Sequence, residues 1–136
     1  MSGPKDLLKG KKIGIIGAGN MGRALAHGMV RGGLVPKGDI IASDVDAGQR
    51  KAFEEKSGIR ATDKNSELVK FSSVIILAVK PQVMDAVLKE LAPHVKADQL
   101  VISIAAGIPL ARIEKVLEKN PVVRVMPNTP ALVGKG

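Results

Sequence analysis

The sequence predicts an α/β fold in which a doubly wound, mainly parallel sheet carries helices on both faces. Three observations predict it. Short apolar runs alternate with helical stretches through about six strands, the pattern that builds a parallel sheet by right-handed crossovers. The run Ser73–Val79 is almost continuously apolar, as a strand covered on both faces must be. The strand Ile13–Ile16 leads directly into Gly17-Ala18-Gly19-Asn20-Met21-Gly22, which places three glycines in G-x-G-x-x-G spacing where a strand turns into a helix.

That spacing makes the predicted fold Rossmann-type and assigns each glycine its own task. Gly17 permits the tight turn, Gly19 lets backbone approach a pyrophosphate, and Gly22 lets the helix lie close on the sheet. The helix from Asn20 to about Arg31 then offers free N–H groups and the positive end of its dipole to an anion. Its residues Met21, Ala24, Leu25, Gly28 and Met29 recur at helical spacing and are expected to face the sheet. The solitary His27 on it is read as a surface or packing residue.

Asp39–Asp44 reads as the second strand, with Asp44 at its C-terminal end. An acidic residue roughly 20 positions beyond the glycines normally takes the adenosine ribose hydroxyls. Capping of the helix Asp46–Lys56 is the alternative, and the two roles can coexist. A carboxylate here repels a 2′-phosphate and favours NAD over NADP, while Arg50 and Lys51 partly offset the repulsion. Gly58–Ala61 reads as a short third strand, and Asn65 opens a helix to about Phe71.

The apolar fourth strand ends at Lys80-Pro81, and Pro81 suits the first turn of the helix Gln82–Leu91, whose inner face is marked by Val83, Val87 and Leu91. Leu100–Ile104 is the fifth strand and leads into Ala105-Ala106-Gly107, small residues that leave room for a flat ring. Pro109 opens a helix to about Lys119, with Leu110, Ile113 and Leu117 inward, and Pro121–Met126 is the last strand. Residues 1–10 read as a flexible lead-in and 11–136 as one dinucleotide-binding domain.

Composition excludes other classes. With 136 residues, 45% of them hydrophobic and 25% charged, the chain can bury a core. It holds no cysteine, so neither a disulfide framework nor a thiolate metal site is possible, which fits the cytoplasm. No apolar run reaches the roughly 20 residues that span a bilayer. The net charge of +8 raises nucleic-acid binding, but the basic residues are scattered and Phe53 and Phe71 are the only aromatics, so stacking platforms are lacking. A solvated basic surface, able to attract anionic dinucleotides, is the reading adopted, with no metal, nucleic-acid or membrane partner.

Four stretches in order then resemble the N-terminal half of the pyrroline-5-carboxylate reductases. They are Ile15–Gly22, Leu77-Ala78-Val79-Lys80-Pro81-Gln82, Val101–Gly107, and Arg124-Val125-Met126-Pro127-Asn128-Thr129-Pro130-Ala131-Leu132-Val133. The resemblance implies reduction of 1-pyrroline-5-carboxylate to L-proline with hydride from NADPH or NADH. It implies that Ile16, Gly17, Ala18, Gly19, Asn20 and Met21 cradle the pyrophosphate, and that Asp44 and Asn65 surround the adenosine. Ala78, Val79, Lys80 and Pro81 would line the dinucleotide, Ile104, Ala105 and Ala106 would approach the nicotinamide, and Asn128 and Thr129 would stand where that ring meets substrate. Lys80 as a solvated cation, and Asn128 or Thr129 as turn residues, are the structural alternatives.

Family members continue into an all-helical domain that forms their homo-oligomers and binds substrate. The resemblance therefore implies cofactor binding with little turnover by this chain, which offers no catalytic proton donor. It also implies an exposed apolar surface near Met126 and Leu132-Val133 that drives self-association. A reductase with another substrate, or a non-catalytic dinucleotide-sensing module, are the alternative readings.

Overall fold

Six β-branched and leucine-rich segments pair in parallel into one sheet: β1 (Ile13–Ile16), β2 (Ile40–Ser43), β3 (Ala61–Thr62), β4 (Val74–Leu77), β5 (Leu100–Ser103) and β6 (Val122–Arg124). The structure, a computed structural model, describes residues 10–125. The expectations placed on Met126, Asn128, Thr129, Leu132 and Val133, and nearly all of the lead-in, lie outside those residues. Helices α1 (Asn20–Arg31), α2 (Ala47–Ser57), α3 (Asn65–Phe71), α4 (Met84–Leu91) and α5 (Leu110–Val116) connect the strands, with 3-10 turns at Lys37–Asp39 and Pro81–Val83.

The strand order is β3-β2-β1-β4-β5-β6. The chain winds outward from β1 through β2 to β3, then returns to lay β4 against the other side of β1. The direction of winding reverses between β1 and β4, and the C-terminal ends of those strands therefore open a crevice. The Rossmann-type expectation holds.

Each face of the sheet carries its own apolar layer because alternate side chains point opposite ways. Ile13, Ile15, Ala42, Val74 and Ile76 meet Ala26 and Met29 of α1 and Phe53 of α2. Ile16, Ile41, Ile75, Leu77 and Val101 meet Leu68 and Val69 of α3, Met84, Leu88 and Leu91 of α4, and Ile113 of α5. Every residue of β1, β2 and β4 is buried, whereas the edge strands β3 and β6 are not. Across the second face Arg112 donates from Nε and Nη2 to the two carboxylate oxygens of Asp85, at 2.9 and 2.6 Å, joining α5 to α4. This hydrogen bonding lowers the Asp85 pKa below its usual value.

Several element details differ from the sequence reading. The inner face of α1 is Gly22, Ala26 and Met29, flanked by Leu25 and Val30, while Met21, Ala24 and Gly28 are exposed. The reason is Gly22. A side chain there would run into the Gly17 carbonyl oxygen, so this residue makes the closest approach to the sheet and sets the rotation of the whole helix. Residues 81–83 form a 3-10 turn before α4 begins, which brings Met84, Leu88 and Leu91 inward and leaves Val83 45% exposed.

Asp39 belongs to a 3-10 turn, where its carboxylate accepts from Lys12 Nζ at 2.6 Å, and β2 starts at Ile40. Gly58, at φ +73, ends α2 instead of opening β3, which is confined to Ala61–Thr62. The fifth strand stops at Ser103, and α5 stops at Val116 because Leu117 leaves helical geometry.

The rotation of α4 is testable in unfolding experiments. Leu88→Ala should cost roughly 2–5 kcal/mol in denaturant titrations, and Val83→Ala should stay within about 0.5 kcal/mol of the parent. A Val83→Ala loss equal to that of Leu88→Ala would contradict the inner face described here.

Candidate functional site

The crevice is built around the turn that follows β1. Gly17 has φ +109, a backbone conformation that side-chain-bearing residues rarely adopt. Its N–H donates to the Ser43 carbonyl at 2.8 Å, and a Cβ on it would stand 2.5 Å from the Ala78 carbonyl oxygen. The turn is thus pinched between the ends of β2 and β4. Gly19 is different. Its backbone is extended, and the nearest group to an added Cβ is Gln49 Nε2 at 3.7 Å, an ordinary contact. Packing demands glycine at 17 and 22 but makes no such demand at 19, where close approach of a ligand to the backbone would.

The first turn of α1 lacks an internal cap. Gly19 occupies the N-cap position without a side chain, and the N–H groups of Gly19, Asn20 and Met21 have no acceptor among the described residues. By contrast, α2 is capped by Asp46, whose carboxylate accepts from Gly48 N at 2.8 Å and Gln49 N at 3.3 Å. The capping role considered for Asp44 therefore falls to Asp46. Uncapped donors at a helix start carry partial positive charge and suit an anion. Arg23 strengthens this, since its Nη2 donates to Asn20 Oδ1 at 2.6 Å and holds the guanidinium beside the same turn.

The neighbouring strand ends complete the rim. Half-buried Asp44 accepts from Ala18 N at 3.0 Å through Oδ2 and from Asp46 N at 2.9 Å through Oδ1. Arg50 Nη1 donates to the carbonyls of Asp44 and Val45, at 2.9 and 3.1 Å. Asn65 stands at the start of α3. Its Oδ1 accepts from Ser43 Oγ at 2.5 Å and its Nδ2 donates to Glu90 Oε1 at 2.9 Å, so the amide ties β2 to α3 and α4. Past β4, Ala78 and Val79 are half-buried and Lys80 and Pro81 exposed, with Ala78 N donating to Ile16 O at 2.8 Å. Past β5, Ile104 is half-buried, Ala105 buried and Ala106 exposed.

The residues singled out in sequence from Ile16 to Gly22, together with Asp44, Asn65, Ala78–Pro81 and Ile104–Ala106, thus all follow strands at one edge of the sheet. Ile16, Ala18 and Ala105 are buried side chains, so they offer that edge their backbone only. Sequence reasoning missed Arg23, although its place three residues after Asn20 on a helix is a usable signal. It also missed an apolar rim: Val45 is 89% exposed, and Met21 and Val83 are each 45% exposed at the same edge. Two shallow cavities, of about 370 and 240 Å³, lie at the opposite edge, the first lined by Lys37, Gly58, Arg60 and Phe71. They share no residue with the motifs. The described residues contain no group of three or more His, Cys, Asp or Glu side chains able to hold a metal, and no helix long and apolar enough to cross a membrane.

Comparison with known proteins bears out the resemblance read from the motifs. The chain is 46% identical over 129 residues to the pyrroline-5-carboxylate reductase of Methanosarcina acetivorans, covering 94% of this chain and 48% of that protein. It superposes on a pyrroline-5-carboxylate reductase from Coxiella burnetii with TM-score 0.79 and 35% identity, over 90% of this chain and 46% of that one. The Plasmodium falciparum pyrroline carboxylate reductase with NADP bound matches with TM-score 0.76 and 32% identity, over 93% and 46% of the two chains. The chain thus spans about half the length of the relatives it matches. The family model described as NADP oxidoreductase, coenzyme F420-dependent, matches residues 12–107, and to this family of oxidoreductases the chain belongs.

Proposed function

We propose that residues 11–136 form the NAD(P)H-binding half of a reductase that converts 1-pyrroline-5-carboxylate to L-proline. The observation that carries this reading is the uncapped start of α1, whose three free N–H groups lie beside an open Gly19 at the winding reversal of the sheet. The pyrophosphate lies on Ile16–Gly22, the adenosine near Asp44 and Asn65, the dinucleotide along Ala78–Pro81, and the nicotinamide toward Ile104–Ala106 and Asn128-Thr129. The NADP-bound Plasmodium relative supports a dinucleotide ligand, either NADP(H) or NAD(H).

The chemistry of hydride delivery belongs to the cofactor, and the protein supplies position and electrostatics. The backbone donors and Arg23 neutralise the pyrophosphate, while the apolar rim of Met21, Val45 and Val83 suits the flat rings. The chain spans only about half of its relatives, and among the described residues no side chain of the crevice is poised to protonate an imine. Turnover therefore needs the part of the family protein that binds substrate. Location in the cytoplasm accords with the absence of cysteine.

Calorimetric titration with NADPH and with NADH should show binding of at least one of them below millimolar concentration. Proline formation by this chain should stay far below about 1 s⁻¹, the lower end of ordinary enzyme rates. No binding of either cofactor at millimolar concentration would refute the reading. Gly19→Ala should weaken dinucleotide binding at least about tenfold while moving folding stability by less than about 1 kcal/mol. Gly22→Ala should destabilise the fold itself. Equal binding by Gly19→Ala and the parent would contradict the pyrophosphate assignment.

A further inference from the structure

The glycine turn divides its N–H groups into two sets. Gly17 N donates to Ser43 O at 2.8 Å and Ala18 N donates to Asp44 Oδ2 at 3.0 Å, so the end of β2 occupies the first two. The next three, on Gly19, Asn20 and Met21, have no acceptor among the described residues. A loop that grips an anion needs both sets, some amides to hold its shape and some to bind.

Asp44 links them. Its second oxygen accepts from Asp46 N at 2.9 Å, so each carboxylate oxygen already serves a backbone donor, one on either side of the crevice wall. Arg50 holds the carbonyls of Asp44 and Val45 and so fixes the segment that carries the carboxylate. Hydrogen bonds to an ionised acceptor are about twice as strong as neutral ones. A carboxylate committed in this way is oriented toward the turn, and each of its oxygens keeps a second lone pair for a further donor.

We infer that Asp44 is a positioning residue that clamps the pyrophosphate turn, and that this clamp serves NADH and NADPH alike. This rests on the dinucleotide reading above, and it adds a second role to the one that sequence position alone gives an acidic residue at the end of β2.

Native-state amide exchange followed by NMR, combined with NADH and NADPH titrations of the whole chain, tests the clamp. In Asp44→Ala the Ala18 and Asp46 amides should exchange roughly tenfold faster or more, while Ile75 and Leu77 in β4 keep their protection. Affinity for NADH and NADPH should fall by the same factor. Asp44→Asn, which can serve only one of the two donors, should release at least one of these amides and carries the test if Asp44→Ala does not fold. Unchanged exchange at both amides would overturn the inference. So would a loss confined to NADH with NADPH unchanged or tighter, the signature of a ribose selector. If the parent chain binds neither cofactor, the functional reading fails, and the exchange measurement still decides whether Asp44 clamps the turn.

Discussion

One contact governs the rest: the glycine turn after β1 is held against the ends of both strands that flank it. Gly17 donates to Ser43 on the β2 side and lies against the Ala78 carbonyl on the β4 side. With φ +109 it turns the chain in a space that leaves no room for a Cβ. Gly22 then lies on the Gly17 carbonyl, so the same turn sets how closely and at what rotation α1 packs. The buried series Gly22, Ala26, Met29 follows from that single closest approach.

The arrangement leaves the helix start as the one part of the turn without internal partners. A protein that capped α1 as it caps α2 would satisfy those donors and close the site. Here the cap position is glycine, and the nearby cation, Arg23, is anchored to the first residue of the helix. The winding reversal puts the ends of β4 and β5 opposite this turn, so a long anionic ligand laid there would meet donors at its middle and small or apolar side chains along its flanks. Shape and charge therefore agree on one edge of the sheet, while two shallow cavities lie at the other.

Much of this was legible in the sequence, for a physical reason. Strands buried on both faces cannot hide their apolar runs, and β1, β2, β4 and β5 stand close to where those runs place them. The glycine spacing was equally legible, because backbone conformation and close approach admit few other residues. Helix rotation was not. On α1 the exposed Met21 and Ala24 compete in the pattern with the buried Ala26, and the Gly22–Gly17 contact decides between them. On α4 the 3-10 turn at Pro81–Val83 shifts the inner face in a way that helical spacing does not reveal. Side-chain commitments were also illegible. Position alone marks Asp44 as a ribose ligand, yet its hydrogen bonds run to Ala18 and Asp46, and those of Asn65 to Ser43 and Glu90.

We propose above that the dinucleotide lies across the C-terminal edge of the sheet with its pyrophosphate on the start of α1. Amide chemical-shift mapping during titration with NADPH tests it most directly. The largest shifts are expected at Gly19, Asn20 and Met21, with smaller ones at Ala78–Lys80 and Ile104–Ala106. Shifts centred instead on Lys37, Gly58 and Arg60, around the cavity at the opposite edge, would contradict it.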